Sequence, residues 1–204
     1  MGTLKTTNIK HASSSSNNIV LNSDGSTTFE NISNQVGKIV QVKQTIMTGV
    51  FSTESTTWDH ISGLDVTIQP ASSSNKILIA VNLGLVSSYV NNSYAGFRLV
   101  QVNGSSETPL GLGTTATGNR VNVTFASLGF YFKDDTHGYQ GFPASCQILD
   151  TPSTTNNLTY KLEAFSGYVP SAGYKIYVNR PGQDVDGAYT QRSSSTMTAM
   201  EIAA

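Results

Sequence analysis

From Gly37 onward the chain alternates short apolar stretches with clusters of Gly, Pro, Asn and Ser. Within the stretches apolar residues recur at every second position, as Leu64, Val66 and Ile68 do. A period of two places alternate side chains on opposite faces of a β-strand. The pattern predicts about eight or nine strands, the last over residues 196–202, and no helix.

The strand predicted for residues 77–86 has apolar residues on both faces. Its odd-numbered positions are all apolar, and its even-numbered positions include Leu78, Ala80 and Val86 beside Asn82 and Gly84. An antiparallel strand with one face in water carries polar residues at alternate positions. We therefore expect the second face to meet another sheet, a loop or a subunit.

The number of strands favours an all-β fold, an antiparallel β-sandwich with jelly-roll topology, because that topology manages exposed strand edges without a closed barrel. In residues 121–132 the alternation changes phase, which predicts a β-bulge near Ala126 and Ser127. The segments 103–118 and 133–143 are expected to be loops long enough to carry function.

The first 35 residues differ in composition from the rest. They contain a run of four Ser and two Asn at 13–18 and a turn signal at 23–26, with little apolar sequence between them. We expect an extended polar segment that stays mobile or is ordered by a partner surface. The predicted organisation is thus an attachment or intertwining segment over 1–35 and a sandwich head domain over 36–204.

Charge excludes several classes of protein. The 204 residues include 12 Lys+Arg and 13 Asp+Glu, only 12% charged, for a net charge of −1. Such a chain has no basic patch for nucleic acid. It also has no apolar run of the roughly 20 residues that a membrane span needs, and no secretory leader is expected from its first residues. The single Cys146 excludes an internal disulfide, so packing or oligomerisation must stabilise the fold.

No catalytic constellation stands out. The three His residues, at 11, 60 and 137, lie among abundant hydroxyls without a G-x-S-x-G elbow, so we expect no enzyme. Two loops carry possible metal ligands, Asp134 with Asp135 and His137, and Asp184-x-Asp186-Gly187. The second lacks the downstream Glu of a calcium loop. Solvated turn carboxylates are the favoured interpretation, and neither a metal nor a cofactor is expected.

Aromatic residues beside amides and carboxylates suggest ligand contacts. Rings of this kind stack on the apolar faces of sugars while their polar neighbours bind hydroxyls. The alternative for each tyrosine is that it covers the core at the base of a loop. The candidate glycan or receptor contacts are Tyr89, Asn91, Asn92, Tyr94, Asp134, Asp135, His137 and Tyr139.

Several short motifs, in their order along the chain, resemble a known group of proteins. They are LKTTNIK at 4–10, IVLNSDGSTTF at 19–29, GKIVQV at 37–42, PASSSNKILI at 70–79, LDTP at 149–152, YKL at 160–162, IYVNR at 176–180 and STMTAMEI at 195–202. The sequence is similar to virion structural and tail-fibre proteins of marine tailed phages, especially cyanophages. The last motif also loosely resembles the final strand of trimeric tumour-necrosis-factor-like and complement-like heads. The resemblance implies a non-enzymatic component of the virion, assembled in the host cytoplasm, with the β-sandwich heads of a homotrimer around a threefold axis.

Three hypotheses follow. The first is a tail-fibre or host-adhesion protein whose N-terminal segment docks on other virion proteins and whose loops face a host surface glycan. The second is a capsid-decorating or tail adaptor protein that contacts only virion proteins. The third is a depolymerase, for which Asp134 and Asp135 would have to act as a pair although adjacent residues of an extended chain point apart. The docking candidates are Leu4, Ile9, Ile19, Val20, Leu21 and Phe29.

Overall fold

A computed structural model describes residues 6–10, 12–13, 15, 19–29, 37–88, 93–114, 117–130, 138–167 and 174–204. These residues form β-strands and connecting turns, and no helix occurs among them. The strands are β1 (Asn8–Ile9), β2 (Ile19–Leu21), β3 (Thr27–Phe29), β4 (Ile39–Met47), β5 (Phe51–Thr53), β6 (Asp59–His60), β7 (Val66–Ile68), β8 (Lys76–Ser88), β9 (Ser93–Asn103), β10 (Ser106–Leu110), β11 (Phe125–Phe130), β12 (Gly141–Asp150), β13 (Leu158–Ser166), β14 (Ile176–Val178) and β15 (Ser195–Ile202). The all-β prediction is confirmed.

The chain divides into two compact units, residues 1–38 and 39–204. In the first unit β1, β2 and β3 form a small antiparallel sheet in that order, which the alternation did not predict. The turn signal before β3 is a turn, because the Asp24 carboxylate accepts a 2.9 Å hydrogen bond from the Ser26 backbone N–H. The docking candidates Ile9 and Leu21 are exposed in this sheet.

The second unit consists of two antiparallel sheets. In the β8 sheet, β12 pairs along one edge of β8, and β15 and β14 pair one after the other along its opposite edge. Beyond them, β4 pairs with β15 and β5 pairs with β14. In the β9 sheet, β10 and β11 pair along one edge of β9, and β13 pairs along the other and is followed by β7 and β6. Every pair of neighbouring strands is antiparallel.

The core lies between these two sheets, as expected for a β-sandwich. Strand β13 shows why these residues form strands: Leu158, Tyr160 and Leu162 are fully buried, whereas the residues between them are half-buried. The facing strand of the other sheet, β8, contributes its odd-numbered residues from Ile77 to Leu83 to the same cluster. Burying apolar side chains stabilises the sandwich by about 25 cal/mol for each Å² removed from water.

Three of the described strand pairs contain a register shift, one of them β15 with β4 between Glu201 and Ile202. The pairing of β11 with β9 shifts between Ser127 and Phe130, which confirms the bulge predicted near Ala126 and Ser127. The pairing of β12 with β8 shifts between Phe142 and Ala144. Pro143 lies at the shift in β12, on an edge strand, where the missing backbone N–H of proline is tolerated.

The prediction of a loop over residues 103–118 is wrong in one part. Residues 106–110 form β10, which makes a tight hairpin with β9. Gly104 adopts a φ of 61° at the turn, a left-handed conformation that glycine reaches without strain. The remaining loop is therefore shorter than the sequence suggested.

Candidate functional site

One edge of β8 is shared by two strands that are separated by a long excursion. Strand β14 pairs with residues 86–88 of β8, and β15 pairs with residues 76–82, so the chain leaves the sheet after Val178 and returns at Ser195. Residues 180–194 form a loop, here called the H loop, whose two ends meet at the sheet. The close approach depends on Gly84 of β8, since a Cβ there would lie 2.3 Å from the Ser194 carbonyl oxygen.

Asn179 closes the base of the H loop. Its side chain is fully buried, and its Nδ2 donates hydrogen bonds of 2.9 Å to the carbonyl oxygens of Met47 and Gly49. Its Oδ1 accepts a 2.6 Å bond from the Ser195 hydroxyl, and its backbone N–H donates to the Leu85 carbonyl. Asn179 has a φ of 71°, a left-handed conformation that asparagine tolerates better than most residues.

Ion pairs tie the two arms of the H loop together. Asp184 accepts a 2.7 Å hydrogen bond from Arg180 Nη1 on one arm and a 2.5 Å bond from Arg192 Nη2 on the other. The hydrogen bond from Arg192, and after it the one from Arg180, hold the pKa of Asp184 below its usual range. The Arg180 guanidinium also lies 3.9 Å from the centre of the Tyr177 ring, a cation–π contact.

The H loop packs beside the start of β12 and leaves an aromatic cleft between them. The Gln183 backbone N–H donates a 2.7 Å bond to the Gly138 carbonyl, and the rings of Tyr139 and Tyr189 meet edge to face with centroids 4.9 Å apart. Tyr189 is 60% exposed and Phe142 is 52% exposed. The aromatic cleft encloses about 220 Å³ and is lined by Leu85, Tyr139, Gln140, Gly141, Phe142, Pro181, Tyr189 and Gln191.

A second groove of about 250 Å³ lies over the β9 sheet, where Tyr94 and Phe165 line it together with Val121. Gly96 makes room for the Phe165 ring, because a Cβ on Gly96 would come 2.0 Å from Phe165 Cε1. Trp58 packs edge to face on Phe165 at 4.8 Å.

The outward face of the β8 sheet carries four rows of side chains, three of which cross four strands and one of which crosses three. One row is entirely apolar and continues from β4 to β12 through paired residues. The rows are Val42, Met200, Leu78 and Leu149; Gln44, Thr198, Ala80 and Gln147; Ile46, Thr196, Asn82 and Ser145; and Ile39, Ile202 and Lys76. In these rows, here called the outer β8 face, Lys76 is the one charged residue.

The outward face of the β9 sheet is different, since paired charges cross it. Lys161 Nζ lies 2.8 Å from Glu107 Oε1 and 3.0 Å from Glu163 Oε1, and Glu163 also binds Arg98. Arg98 in turn lies 4.5 Å from the centre of the Trp58 ring. The two outer faces of the sandwich therefore differ in charge.

A buried carboxylate joins the end of β15 to its neighbours. Glu201 is fully buried, and it accepts hydrogen bonds of 2.6 Å from Asn75 Nδ2, 2.6 Å from Gln41 Nε2 and 2.7 Å from the Ala71 backbone N–H. Burial alone raises the pKa of Glu201, but the hydrogen bonds outweigh it and lower the pKa below the usual range. This network holds the turn before β8 against β15 and β4.

The predicted ligand contacts fall in different places. Tyr139 lines the aromatic cleft and Tyr94 lines the groove over the β9 sheet, so the structure does not bring these two together. The other six candidates lie outside the described residues: Tyr89, Asn91, Asn92, Asp134, Asp135 and His137. Sequence reasoning missed Phe142, Tyr189 and Gln191. An aromatic residue in a polar stretch, as in Gly187-Ala188-Tyr189, was the available signal.

The docking candidates lie in the first unit or outside the described part. Ile19 and Val20, in β2, are half-buried. Phe29 ends β3, and Leu4 is outside the described residues.

The described residues offer little reactive chemistry. No three of their His, Cys, Asp or Glu side chains are grouped closely enough to hold a metal ion. Both carboxylate oxygens of Asp184 are occupied by arginines, so the calcium-like element at 184–187 is instead a paired turn. His60 Nε2 lies 2.7 Å from Asp65 Oδ1 at the surface. Burial raises the pKa of the Cys146 thiol to about 11, which disfavours the reactive thiolate.

No protein-family model matches the chain, and no curated protein matches it. No helix long and apolar enough to cross a bilayer is found where the structure describes the chain.

Proposed function

We propose that this chain is a structural protein of a phage virion, a trimeric tail-fibre or host-adhesion component. The N-terminal segment docks on other virion proteins, and the sandwich, a jelly roll, presents its loops to the host surface. The protein is not an enzyme, needs no cofactor, binds no nucleic acid and does not insert into a membrane. The chain crosses from one sheet to the other six times between β5 and β14, which supports the jelly-roll assignment.

The observation that carries the proposal is the outer β8 face. Ile46 is 58% exposed, Val42 52% and Leu149 51%, although all three belong to apolar or uncharged rows. The apolar row crosses four strands that lie about 4.8 Å apart, and contiguous exposed apolar side chains of this kind often mark interaction sites. A face of this kind supports assembly into a larger particle.

The chemistry of the face favours another copy of the same chain as its partner. Three copies of this face can converge on a threefold axis without burying an unpaired charge, because its one charged residue, Lys76, lies in the outermost row. Burial of an unpaired ion would cost several kcal/mol. The ion pairs on the β9 sheet lie on the opposite outer face. A net charge of −1 adds little repulsion between copies.

Light scattering tests the assembly part. We expect the full chain, at tens of micromolar, to have three times the mass of one 21.7 kDa chain. Val42→Lys and Leu149→Lys place a charge in the apolar row and should give monomers. The matched control is Val121→Lys, since Val121 is 51% exposed but lies outside this face, and it should leave the trimer intact.

The outcomes separate two claims. A wild-type mass of one chain contradicts the trimer. A trimer that survives both Val42→Lys and Leu149→Lys contradicts the assignment of its interface to the outer β8 face.

Particle imaging tests the place in the virion. Antibody labelling should decorate the tail; labelling of the capsid lattice would favour the decorating or adaptor function, and absence from particles would contradict both. Ile9→Asp and Leu21→Asp, both exposed in the N-terminal sheet, should lower incorporation into particles without changing the mass in solution. Normal incorporation of both variants would contradict docking through this sheet.

A further inference from the structure

The aromatic cleft beside the H loop has the composition of a carbohydrate subsite. We propose that it binds one neutral sugar ring of a surface glycan, stacked on Tyr189 or Phe142 and hydrogen-bonded by Gln140 and Gln191. The inference rests on the host-adhesion part of the proposed function and names the ligand class and the residues that recognise it.

The pairing of rings with amides points to a sugar. Tyr189 and Phe142 are more than half exposed, and Tyr139 is half-buried behind Tyr189 with its ring nearly perpendicular, at 86°. An exposed ring offers a flat apolar surface to the C–H face of a pyranose. The exposed side chains of Gln140 and Gln191 each offer both a donor and an acceptor, which suits hydroxyl groups.

The charge of the site favours a neutral ligand. Among the described residues that line the aromatic cleft, none is charged. The nearest charged group on the H loop, formed by Arg180, Asp184 and Arg192, is joined in ion pairs. An anionic sugar, sulfated or carboxylated, would give up part of its hydration shell here without gaining an ion pair with a described side chain of the cleft.

The size of the cleft favours a single ring. Its volume of about 220 Å³ is below the roughly 300–1,000 Å³ of pockets that hold drug-sized ligands. Such a site binds weakly alone, and repetition of the site in an assembly supplies avidity.

The cleft is held in shape before any ligand arrives. Asn179 fixes the base of the H loop, Asp184 joins its arms, and the hydrogen bond from Gln183 to Gly138 holds it beside Tyr139. A turn also supports Tyr189, because the Thr190 backbone N–H donates a 2.9 Å bond to the Gly187 carbonyl. Preformed sites lose less conformational entropy on binding. The cleft lies past the end of the outer β8 face, since it begins at Leu85 whereas the rows of that face end at Asn82.

The test uses the full chain and saturation-transfer NMR with the methyl glycosides of glucose, galactose, mannose and N-acetylglucosamine. We expect at least one of them to bind with millimolar affinity. Tyr189→Ala should weaken that binding about tenfold, since an aromatic contact contributes up to about 1.5 kcal/mol. Tyr189→Phe should retain most of it because the ring remains.

The matched control is Tyr94→Ala, which removes another exposed tyrosine from the separate groove over the β9 sheet and should leave binding unchanged. Gln191→Leu should weaken binding and keep the fold, as checked by the amide spectrum. The proposal is overturned if no glycoside binds, if Tyr189→Ala binds as wild type, or if Tyr94→Ala loses as much. If the binding experiment fails but the protein is found on the phage tail, only the sugar subsite is overturned. If the protein is absent from particles, the proposed function is overturned.

Discussion

The Ser195 hydroxyl donates a 2.6 Å hydrogen bond to Oδ1 of Asn179, 16 residues earlier in the chain. This bond joins the residue at which the chain leaves the β8 sheet to the residue at which it returns. Asn179, the residue directly after β14, therefore closes the loop and links it to Met47 at the end of β4 and to Gly49 in the bend that follows.

We expect Asn179→Ala to lower the free energy of unfolding by about 3 kcal/mol, because it leaves the carbonyls of Met47 and Gly49 and the Ser195 hydroxyl without this partner in the interior. Urea denaturation measures the change. The control is Asn156→Ala, on an exposed asparagine whose side chain donates a 3.1 Å hydrogen bond to Asn103 at the surface, with an expected loss below about 0.5 kcal/mol. Equal losses in the two variants would contradict the role of Asn179.

The stability of the protein should fall in acid through Glu201. Because the folded-state pKa of Glu201 lies below its unfolded value, this group stabilises the fold above the unfolded pKa, and the contribution disappears as the pH falls through the folded pKa. The free energy of unfolding, measured in steps from pH 6 to pH 3, should therefore decrease less steeply in Glu201→Gln than in wild type. Glu54→Gln, at an exposed carboxylate, controls for the loss of one negative charge. Parallel curves for wild type and Glu201→Gln would contradict the prediction.

Two glycines should respond to alanine for different reasons. Gly84→Ala places its Cβ 2.3 Å from the Ser194 carbonyl, a backbone atom, so it should cost several kcal/mol of stability. Gly96→Ala meets the Phe165 ring instead, and the double variant Gly96→Ala, Phe165→Ala should be less destabilised than the sum of the two single changes.

Gly113→Ala is the control for both, since nothing lies within 4 Å of its added Cβ, and its stability should stay within about 1 kcal/mol of wild type. Urea denaturation of the five variants, including Phe165→Ala alone, measures these changes. Additive losses at Gly96 and Phe165 would show that the ring and the glycine do not share one space.

Cys146 should be slow to alkylate in the folded protein. Burial raises the pKa of its thiol to about 11, so little thiolate exists at pH 8. Iodoacetamide labelling followed by mass spectrometry should be many times slower in buffer than in 8 M urea. Equal rates would show that the thiol is accessible and ionised in the folded state.

Most of the sandwich could be predicted from local pattern. The residues of β13 and of the first half of β8 alternate because one face lies in the core, and such a signal is contained within each strand. The doubly apolar character of β8 was informative only in part, since the H loop covers its second face at Gly84, whereas Leu78 and Asn82 belong to the outer β8 face.

The sites could not be predicted in the same way, because they depend on distant partners. Nothing in the residues around Glu201 indicates Asn75 or Gln41 as its partners, and the alternation of residues 174–178 and 196–202 does not reveal that both segments pair along one edge of β8. Tyr139 was found from its polar neighbours. Tyr189 was missed because its partner across the cleft is 50 residues away in the chain.

The closure at Asn179 has a consequence for evolution. Since both ends of the H loop are fixed in the sheet, adding residues between them costs little, about 0.6 kcal/mol for each doubling of length. Substitutions between residues 181 and 191 can alter the recognition surface while the strand pairs that frame it persist. Under the proposed adhesion function, sequence variation among homologues should therefore concentrate in this loop, giving new binding preferences on an unchanged scaffold.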